Sequence, residues 1–545
     1  MAQGDKLSLK NMYLGEVDTT IELDISGREA RSDFYNSYYV RSDAEVASFL
    51  DGRKCFVYGQ KGAGKTAFLR YIGERLRRDT QMGRDFDLYL FSKDFPKAIY
   101  EDLTEFTAKK RKIDPDDFQH RLNPFRDIDY EDLWTFILLQ KLSEQVKENG
   151  GLKVVHDVHF KRFLQLLDLV ESGSVFDRFA RLLPKVRKGS LSLAESPSVV
   201  VDLEFDGSSS DVAKFSDYVS ELRDEYSKLT FSAGSYHLMF DEIDPRVGSG
   251  KAFDLDCILI RDLILTIYNL NRSHSSSVRR VFFSAAIRSE ILREVNRLGK
   301  EVHKYLETLG IHMNWGELGR RDVDHPLIKM VCKKIIHSEK KLGIYGHQDD
   351  ENYREIWKKY FQKTQGEVLS PNEILRLTWM KPRDVVRYLN ACRDLDGDAK
   401  VFDKSLLDRS LGPYSFGSWR DIQAQLSGSV GAEVVSALES VFSRFHRKFN
   451  IDELQHRIDS IAAMSEKGQA LKELFKPLDV LELLYFHGIV GVPSGGSRAD
   501  FYFEGHTSPD FFEGIQLHDG LAAKFKLKKI RKSGEHTRDL FESGE

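Results

Sequence analysis

Gly59-Gln60-Lys61-Gly62-Ala63-Gly64-Lys65-Thr66 decides how the chain is read. A short apolar run, Cys55-Phe56-Val57-Tyr58, precedes it, and Ala67-Phe68-Leu69-Arg70-Tyr71-Ile72 follows with helical spacing. Strand, glycine-rich loop and helix are the context in which G-x-x-x-x-G-K-[ST] is a phosphate-binding P-loop. Gly59 and Gly64 permit the tight turn that aims successive N–H groups at phosphate oxygens, and the positive end of the helix adds to the attraction. The stretch from Gly59 through Gln60, Lys61, Gly62, Ala63, Gly64, Lys65 and Thr66 to Ala67 is thus the candidate nucleotide contact. In it Lys65 reaches the β- and γ-phosphates and the Thr66 hydroxyl ligates Mg²⁺.

The whole chain bounds what surrounds this loop. Its 545 residues allow two to four domains. Hydrophobic residues at 41% and charged residues at 30% give an ordinary globular balance. A formal net charge of -4 means that any nucleic-acid surface has to be local. Cys55, Cys257, Cys332 and Cys392 lie far apart with no metal-site or redox spacing, which suits a reducing cytoplasm. Met1 to Lys6 lacks a signal pattern. The most apolar segment, Leu255 to Leu270, carries Arg261 and Asp262 in its middle and is expected as a core helix, with no membrane span.

A second motif lies at Tyr236-His237-Leu238-Met239-Phe240-Asp241-Glu242-Ile243-Asp244. An apolar strand ending in Asp-Glu has the Walker B pattern: Asp241 holds Mg²⁺, and Glu242 orients or activates the attacking water. Asp244 is a candidate cap for the next helix, expected over Phe253 to Leu270. Val281 to Ile287 is expected as a core strand beside the Walker B strand. Ser284 and Arg288 are candidates for a polar residue at its end that senses the γ-phosphate. Arg288 either stabilises charge in the transition state or pairs with Glu242 or Glu290.

Elsewhere the pattern is coarser. Phe34-Tyr35-Asn36-Ser37-Tyr38-Tyr39-Val40 either packs under the sheet or stacks on an adenine ring. Asp87 to Phe91 reads as a strand and Tyr130 to Val146 as a helix. Residues 150–229 look like an insertion dense in loop signals, among them Lys185-Val186-Arg187-Lys188 and Gly207-Ser208-Ser209-Ser210, with a strand at Val199 to Phe205. His156 and His159 lack the further ligands a zinc site needs. Leu426-Ser427-Gly428-Ser429 looks like an ABC signature but falls downstream of the Walker B segment, and is read as a turn. No Asn-Lys-x-Asp motif marks a GTPase.

The order of Gly59–Thr66, Asp241-Glu242-Ile243-Asp244 and Phe283–Glu290 resembles the AAA+/STAND group of P-loop ATPases, with an ASCE-type core, and is most similar to bacterial STAND-like, origin-recognition-like members. Trp379-Met380-Lys381-Pro382-Arg383 resembles the lid motif of these families, which implies Arg383 as a sensor of nucleotide phosphate; the local alternative is a helix start with Pro382 in its first turn. The resemblance implies an α/β fold: a three-layer P-loop core with a parallel sheet over residues 51–317, after an N-terminal segment 1–50. A helical lid (318–410), a helical connector (411–470), a winged-helix domain (471–535) and a tail (536–545) follow. Arg320-Arg321 is either an arginine finger for a neighbouring subunit or a solvated pair.

The winged-helix expectation rests on a helix at Leu478 to Phe486 and a two-stranded wing around Ser494-Gly495-Gly496-Ser497. The basic run Lys524 to Lys532 suits either DNA or a solvated face, and such a domain docks DNA or protein. The function implied is an ATP- and Mg²⁺-dependent, ATP-hydrolysing switch, a homo-oligomer acting with a separate effector protein or with DNA, in bacterial antiviral defence or genome maintenance. Two alternatives stand beside it: a non-hydrolysing ATP-dependent scaffold, and a DNA-stimulated motor.

Overall fold

The structure is a computed structural model. It describes residues 6–25, 27–79, 84–90, 130–147, 152–168, 191–194, 200–203, 209–243, 251–274, 279–297, 301–316, 318, 321–345, 352–363, 366–474, 476–493, 499–506 and 508–528. The chain divides into two compact units. One comprises Val40–Arg246 and Gly250–Met313; the other comprises Met1–Tyr39, Val247–Ser249 and Asn314–Glu545.

The first unit is α/β. Its strands are β1 (Phe56–Gly59), β2 (Arg84–Leu90), β3 (Ser235–Ile243), β4 (Val281–Arg288) and β5 (Gly310–His312). They form one sheet in the order β2-β3-β4-β1-β5, every neighbouring pair parallel. In β3 the residues from Ser235 to Asp241 are buried one after another, and in β4 those from Phe283 to Ile287 are. Successive burial means that the sheet is covered on both faces, as a parallel sheet requires. The expected strand beside β3 is therefore present, and it stands between β3 and β1.

The helices of this unit are α1 (Lys65–Arg78), α2 (Glu131–Lys147), α3 (Val158–Asp168), α4 (Ser209–Lys228), α5 (Lys251–Arg272) and α6 (Ser289–Arg297). In α5, Arg261 and Asp262 are fully buried. Arg261 Nε donates to Asp262 Oδ1 at 2.7 Å, and Tyr130 N–H donates to Asp262 Oδ2 at 2.7 Å. The charges serve the core, and among the described residues no helix is long and apolar enough to cross a membrane.

Among its described residues the region 150–229 is less loop-like than its composition implies. Phe163, Leu166 and Leu167 of α3 and Tyr218, Val219, Leu222 and Tyr226 of α4 belong to the same buried cluster as β3 and β4. Ser209 and Ser210, expected in a loop, open α4. The expected strand appears as Val200–Leu203, paired antiparallel with Leu191–Ala194. Lys185 to Lys188 and Gly207-Ser208 lie outside the described residues.

The second unit takes in the N-terminal segment through backbone and side-chain bonds. Leu9 N–H donates to Ala399 O and Lys10 N–H to Gly397 O, both at 2.8 Å. Leu7 N–H reaches Tyr360 Oη at 3.0 Å, and Asn390 Nδ2 reaches Gly15 O at 3.0 Å. Its larger helices include α7 (Pro326–Lys341), α8 (Pro382–Leu395) and α9 (Lys404–Val430). Pro326 and Pro382 each open a helix, where a missing N–H does no harm. Leu426 to Ser429, expected as a turn, is instead the end of α9: buried Trp419, Ile422 and Leu426 hold the helix past Gly428, and it stops at Gly431, whose φ is 86°.

The C-terminal part holds α10 (Ala432–Phe442), β6 (Lys448–Phe449), α11 (Ile451–Ala462), α12 (Glu466–Leu474), α13 (Pro477–Phe486), β7 (Val490–Pro493), β8 (Ala499–Asp500) and β9 (Ile515–Leu517). Its strands form an antiparallel sheet in the order β6-β9-β7-β8. Val492 opposite Asp500 and Pro493 opposite Ala499 close the expected hairpin; its turn, Ser494 to Arg498, lies outside the described residues. Part of the basic run is structural. Phe525 is buried, and Lys524 Nζ binds Glu439 Oε1 at 2.5 Å. Lys529 to Lys532 lie outside the described residues.

Candidate phosphate-binding site

The glycine-rich loop leaves the C-terminal end of β1 and enters α1. Gly62 and Gly64 adopt φ of 84° and 92°, left-handed values that an L side chain resists. Gly59 is needed for another reason: a Cβ there would lie 2.8 Å from Met313 O, because Met313 N–H donates to Tyr58 O at 2.7 Å and draws that backbone close. The first helical bond of α1 is Phe68 N–H to Gly64 O at 2.9 Å, so helix geometry turns the N–H groups of Lys65, Thr66 and Ala67 out of the N-terminal end. Ala63 N–H donates to Gln60 O at 3.1 Å and tightens the loop. Lys65 is buried, and its ammonium donates to Gly59 O at 2.8 Å and Gln60 O at 3.0 Å. The result is a backbone concavity with a cation and a helix N-terminus, an arrangement suited to a polyanion.

Asp241 and Glu242 stand at the C-terminal end of β3. Phe240 pairs with Ala285 and Ile243 with Ile287, so β3 carries one extra residue here, a bulge that re-aims the side chains. Glu242 lies at φ 53°, a conformation uncommon for a residue with a side chain and a frequent mark of functional sites. Its N–H donates to Asp241 Oδ1 at 2.8 Å. Burial pushes the Asp241 carboxyl up from its usual range; the Glu242 amide, the Thr66 hydroxyl and the Lys65 ammonium act against that shift by favouring the ionised form. Asp241 Oδ2 is buried without a hydrogen-bond partner among the described residues.

That orphaned oxygen is the test for a cation. Among the described residues no three His, Cys, Asp or Glu side chains form a metal cluster. One carboxylate with one hydroxyl is, however, the sparse oxygen set that suits Mg²⁺, which keeps waters and takes phosphate oxygens for the rest of its shell. Thr66 and Asp241 fit the ion.

The end of β4 completes the site. Arg288 pairs with Gly59 in register, level with the first residue of the loop. Ser284 pairs with Met239, is buried, and sits in the interior of the strand. The expectation that both candidates stand at the strand end therefore holds for Arg288 alone. Sequence reasoning missed one contact: Glu290, in the first turn of α6, accepts the Lys61 N–H on Oε1 at 3.0 Å. The sequence points to Glu290 as a candidate partner of Arg288 and not of the loop.

The remaining candidates lie in the second unit. Arg383 Nε donates to Val17 O at 3.1 Å, with carboxylate oxygens of Asp18 and Asp421 at 3.8 and 3.9 Å. Arg321 forms an ion pair with buried Glu504 and so is not a solvated residue; Arg320 lies outside the described residues, as does Asp244. Phe34 is buried and stands 5.7 Å from Tyr38 between ring centroids, while Tyr39 meets Tyr353 edge-on at 6.4 Å, contacts within that unit. In the first unit His159 Nδ1 contacts Glu225 Oε2 at 2.8 Å. No family model matches the chain, and no curated protein matches it.

Proposed function

We propose that the first unit is a P-loop ATPase core, binding Mg²⁺-ATP and hydrolysing it as a molecular switch. The observation that carries this reading is the convergence at the C-terminal end of one sheet of a loop with Gly62 and Gly64 left-handed, the Lys65 ammonium inside it, and a buried carboxylate, Asp241, with an orphaned oxygen. Thr66 and Asp241 would hold Mg²⁺, which when bound neutralises charge on the phosphates. The backbone from Gly59 to Ala67 cradles the phosphate chain, and Lys65 turns from the loop carbonyls to the phosphates. Glu242, carried by the bulge, orients the water and takes its proton. Arg288 reports the terminal phosphate from the neighbouring strand.

The second unit supplies the response. Helices α11 to α13 between β6 and the β7–β8 hairpin support a winged-helix reading. The helix before the hairpin, α13, exposes Leu478, Asp479 and Glu482 and contains no Lys or Arg. That surface repels a phosphate backbone and favours a protein partner over DNA. The chain works as a homo-oligomer with an effector.

The test is ATP turnover by the full chain, with and without double-stranded DNA, beside Lys65→Ala and Glu242→Gln. Turnover by the wild type, lost in both variants and indifferent to DNA, is expected. Binding without turnover would replace the switch with an ATP-dependent scaffold, and DNA stimulation would restore DNA as the partner.

A further inference from the structure

The Lys61 N–H belongs to the loop whose amides are disposed to hold phosphate, yet a protein anion takes it. Glu290 Oε1 accepts it at 3.0 Å, a charge-assisted bond of the kind a phosphate oxygen would make. The carboxylate is held in place. Glu290 lies in the first turn of α6, where the helix dipole favours an anion, and its second oxygen is shielded from solvent. Ile291, Leu292 and Val295 are buried, so packing anchors the helix that carries the residue.

The position gives the charge a consequence. β4 stands between β1 and β3, and its end carries Arg288 and then Glu290. The inner phosphates of a nucleotide go to the N-terminus of α1; the terminal phosphate goes toward the strand ends that carry Asp241, Glu242 and Arg288. Glu290 is on that side. We propose that Glu290 is a specificity-determining residue that weakens triphosphate binding relative to diphosphate, by holding a fixed negative charge against the outer part of the phosphate loop. This rests on the reading of the site as a nucleotide site. A diphosphate leaves Glu290 on the Lys61 amide. A triphosphate brings further negative charge beside it, and like charges at close range in a partly buried site repel strongly.

Glutamine is the informative substitution, since its amide oxygen still accepts the Lys61 N–H while the charge is gone. Calorimetric titration of the full chain with Mg²⁺ and a non-hydrolysable ATP analogue, and separately with ADP, reads the effect. Glu290→Gln should tighten the analogue by about tenfold and ADP by less than about threefold. Glu290→Ala, lacking the acceptor as well, should also shift preference toward the analogue while melting at a lower temperature. Equal shifts for both nucleotides, no shift, or a weaker analogue in both variants would overturn the proposal. Wild type that binds neither nucleotide would sink the nucleotide reading and this proposal with it; wild type that binds both, with Glu290 variants indifferent, would sink the role of Glu290 alone.

Discussion

Glu242 donates its backbone N–H to the carboxylate of its own neighbour, Asp241, at 2.8 Å. The bond fixes one oxygen of Asp241 and leaves the other, Oδ2, buried and unsatisfied. It is made from a left-handed residue, φ 53°, on a strand bulge. The geometry makes position 242 sensitive to backbone chemistry as well as to charge. Glu242→Gly should be at least as stable as wild type, because glycine accepts the left-handed conformation. Glu242→Val should be destabilised by about 1–2 kcal/mol, since a β-branched side chain is an outlier there. Both should lose turnover by about 10²–10⁴-fold if the carboxylate is the general base. Urea denaturation of the pair beside a hydrolysis assay checks the two effects; equal stability of Gly and Val would contradict the backbone argument.

Thr66 and Asp241 should share a phenotype that depends on the cation. In Thr66→Ala and Asp241→Asn, affinity for the nucleotide should fall by at least roughly tenfold in Mg²⁺ and change little in EDTA. Titration of a fluorescent ATP analogue with and without the ion makes the comparison. A loss of the same size in EDTA would point to damage of the loop itself.

Asp262 is the linchpin of a buried charge pair. Its two oxygens take the Arg261 guanidinium and the Tyr130 N–H, each at 2.7 Å, with no exposure to solvent. Asp262→Ala should remove about 3–5 kcal/mol, because it takes away the carboxylate that pairs with a buried cation and accepts a buried amide. The denaturation midpoint followed by Trp134 fluorescence should report it, since the indole donates to Leu259 O on the same helix.

Acid should weaken the second unit through two buried histidines. His325 Nδ1 accepts the Leu327 N–H at 3.2 Å and His518 Nδ1 accepts the Gly520 N–H at 3.1 Å, so both are needed neutral on that nitrogen. Burial lowers His325 to about 4 and His518 to about 3. A depressed folded pKa means that the unfolded chain binds the proton first. The stabilisation is complete above the ordinary value near 6.5 and is lost as the pH falls toward 4. His325→Asn and His518→Asn should each flatten the stability–pH slope between about pH 6.5 and 4, read by thermal melts across that range. An unchanged slope would mean the rings protonate without structural cost.

The parts of the site that lie within one short segment were legible in the sequence. Gly59 to Thr66 carries its turn, helix start and cation in eight consecutive residues, and the apolar run before Asp241 announces a strand. Arg261 and Asp262 identified α5 as a core helix because charges amid leucines exclude a membrane. What depended on register was hidden. Ser284 and Arg288 looked equivalent until the pairing of Gly59 with Arg288 set the strand end. Glu290 was visible as an acid but not as a partner of Lys61, since that contact joins residues remote in sequence. At Ser427-Gly428 local propensity gave a turn, and burial of Trp419, Ile422 and Leu426 overrode it. The serines that open α4 misled in the same way: polar residues at a helix start resemble a loop.

The N-terminal segment bonded to Ala399, Gly397 and Asn390 has a consequence for biogenesis. Those partners leave the ribosome long after the segment itself, whereas Val40–Arg246 and Gly250–Met313 form a unit that is nearly continuous in the chain. Domains tend to fold as units in the order of synthesis, and distant pairings close late. Residues 6–15 must therefore wait, exposing Leu7, Leu9, Met12 and Leu14, until residues 390–399 have been made. During that interval these apolar residues stay uncovered, and the parallel-sheet unit can close before the other unit does.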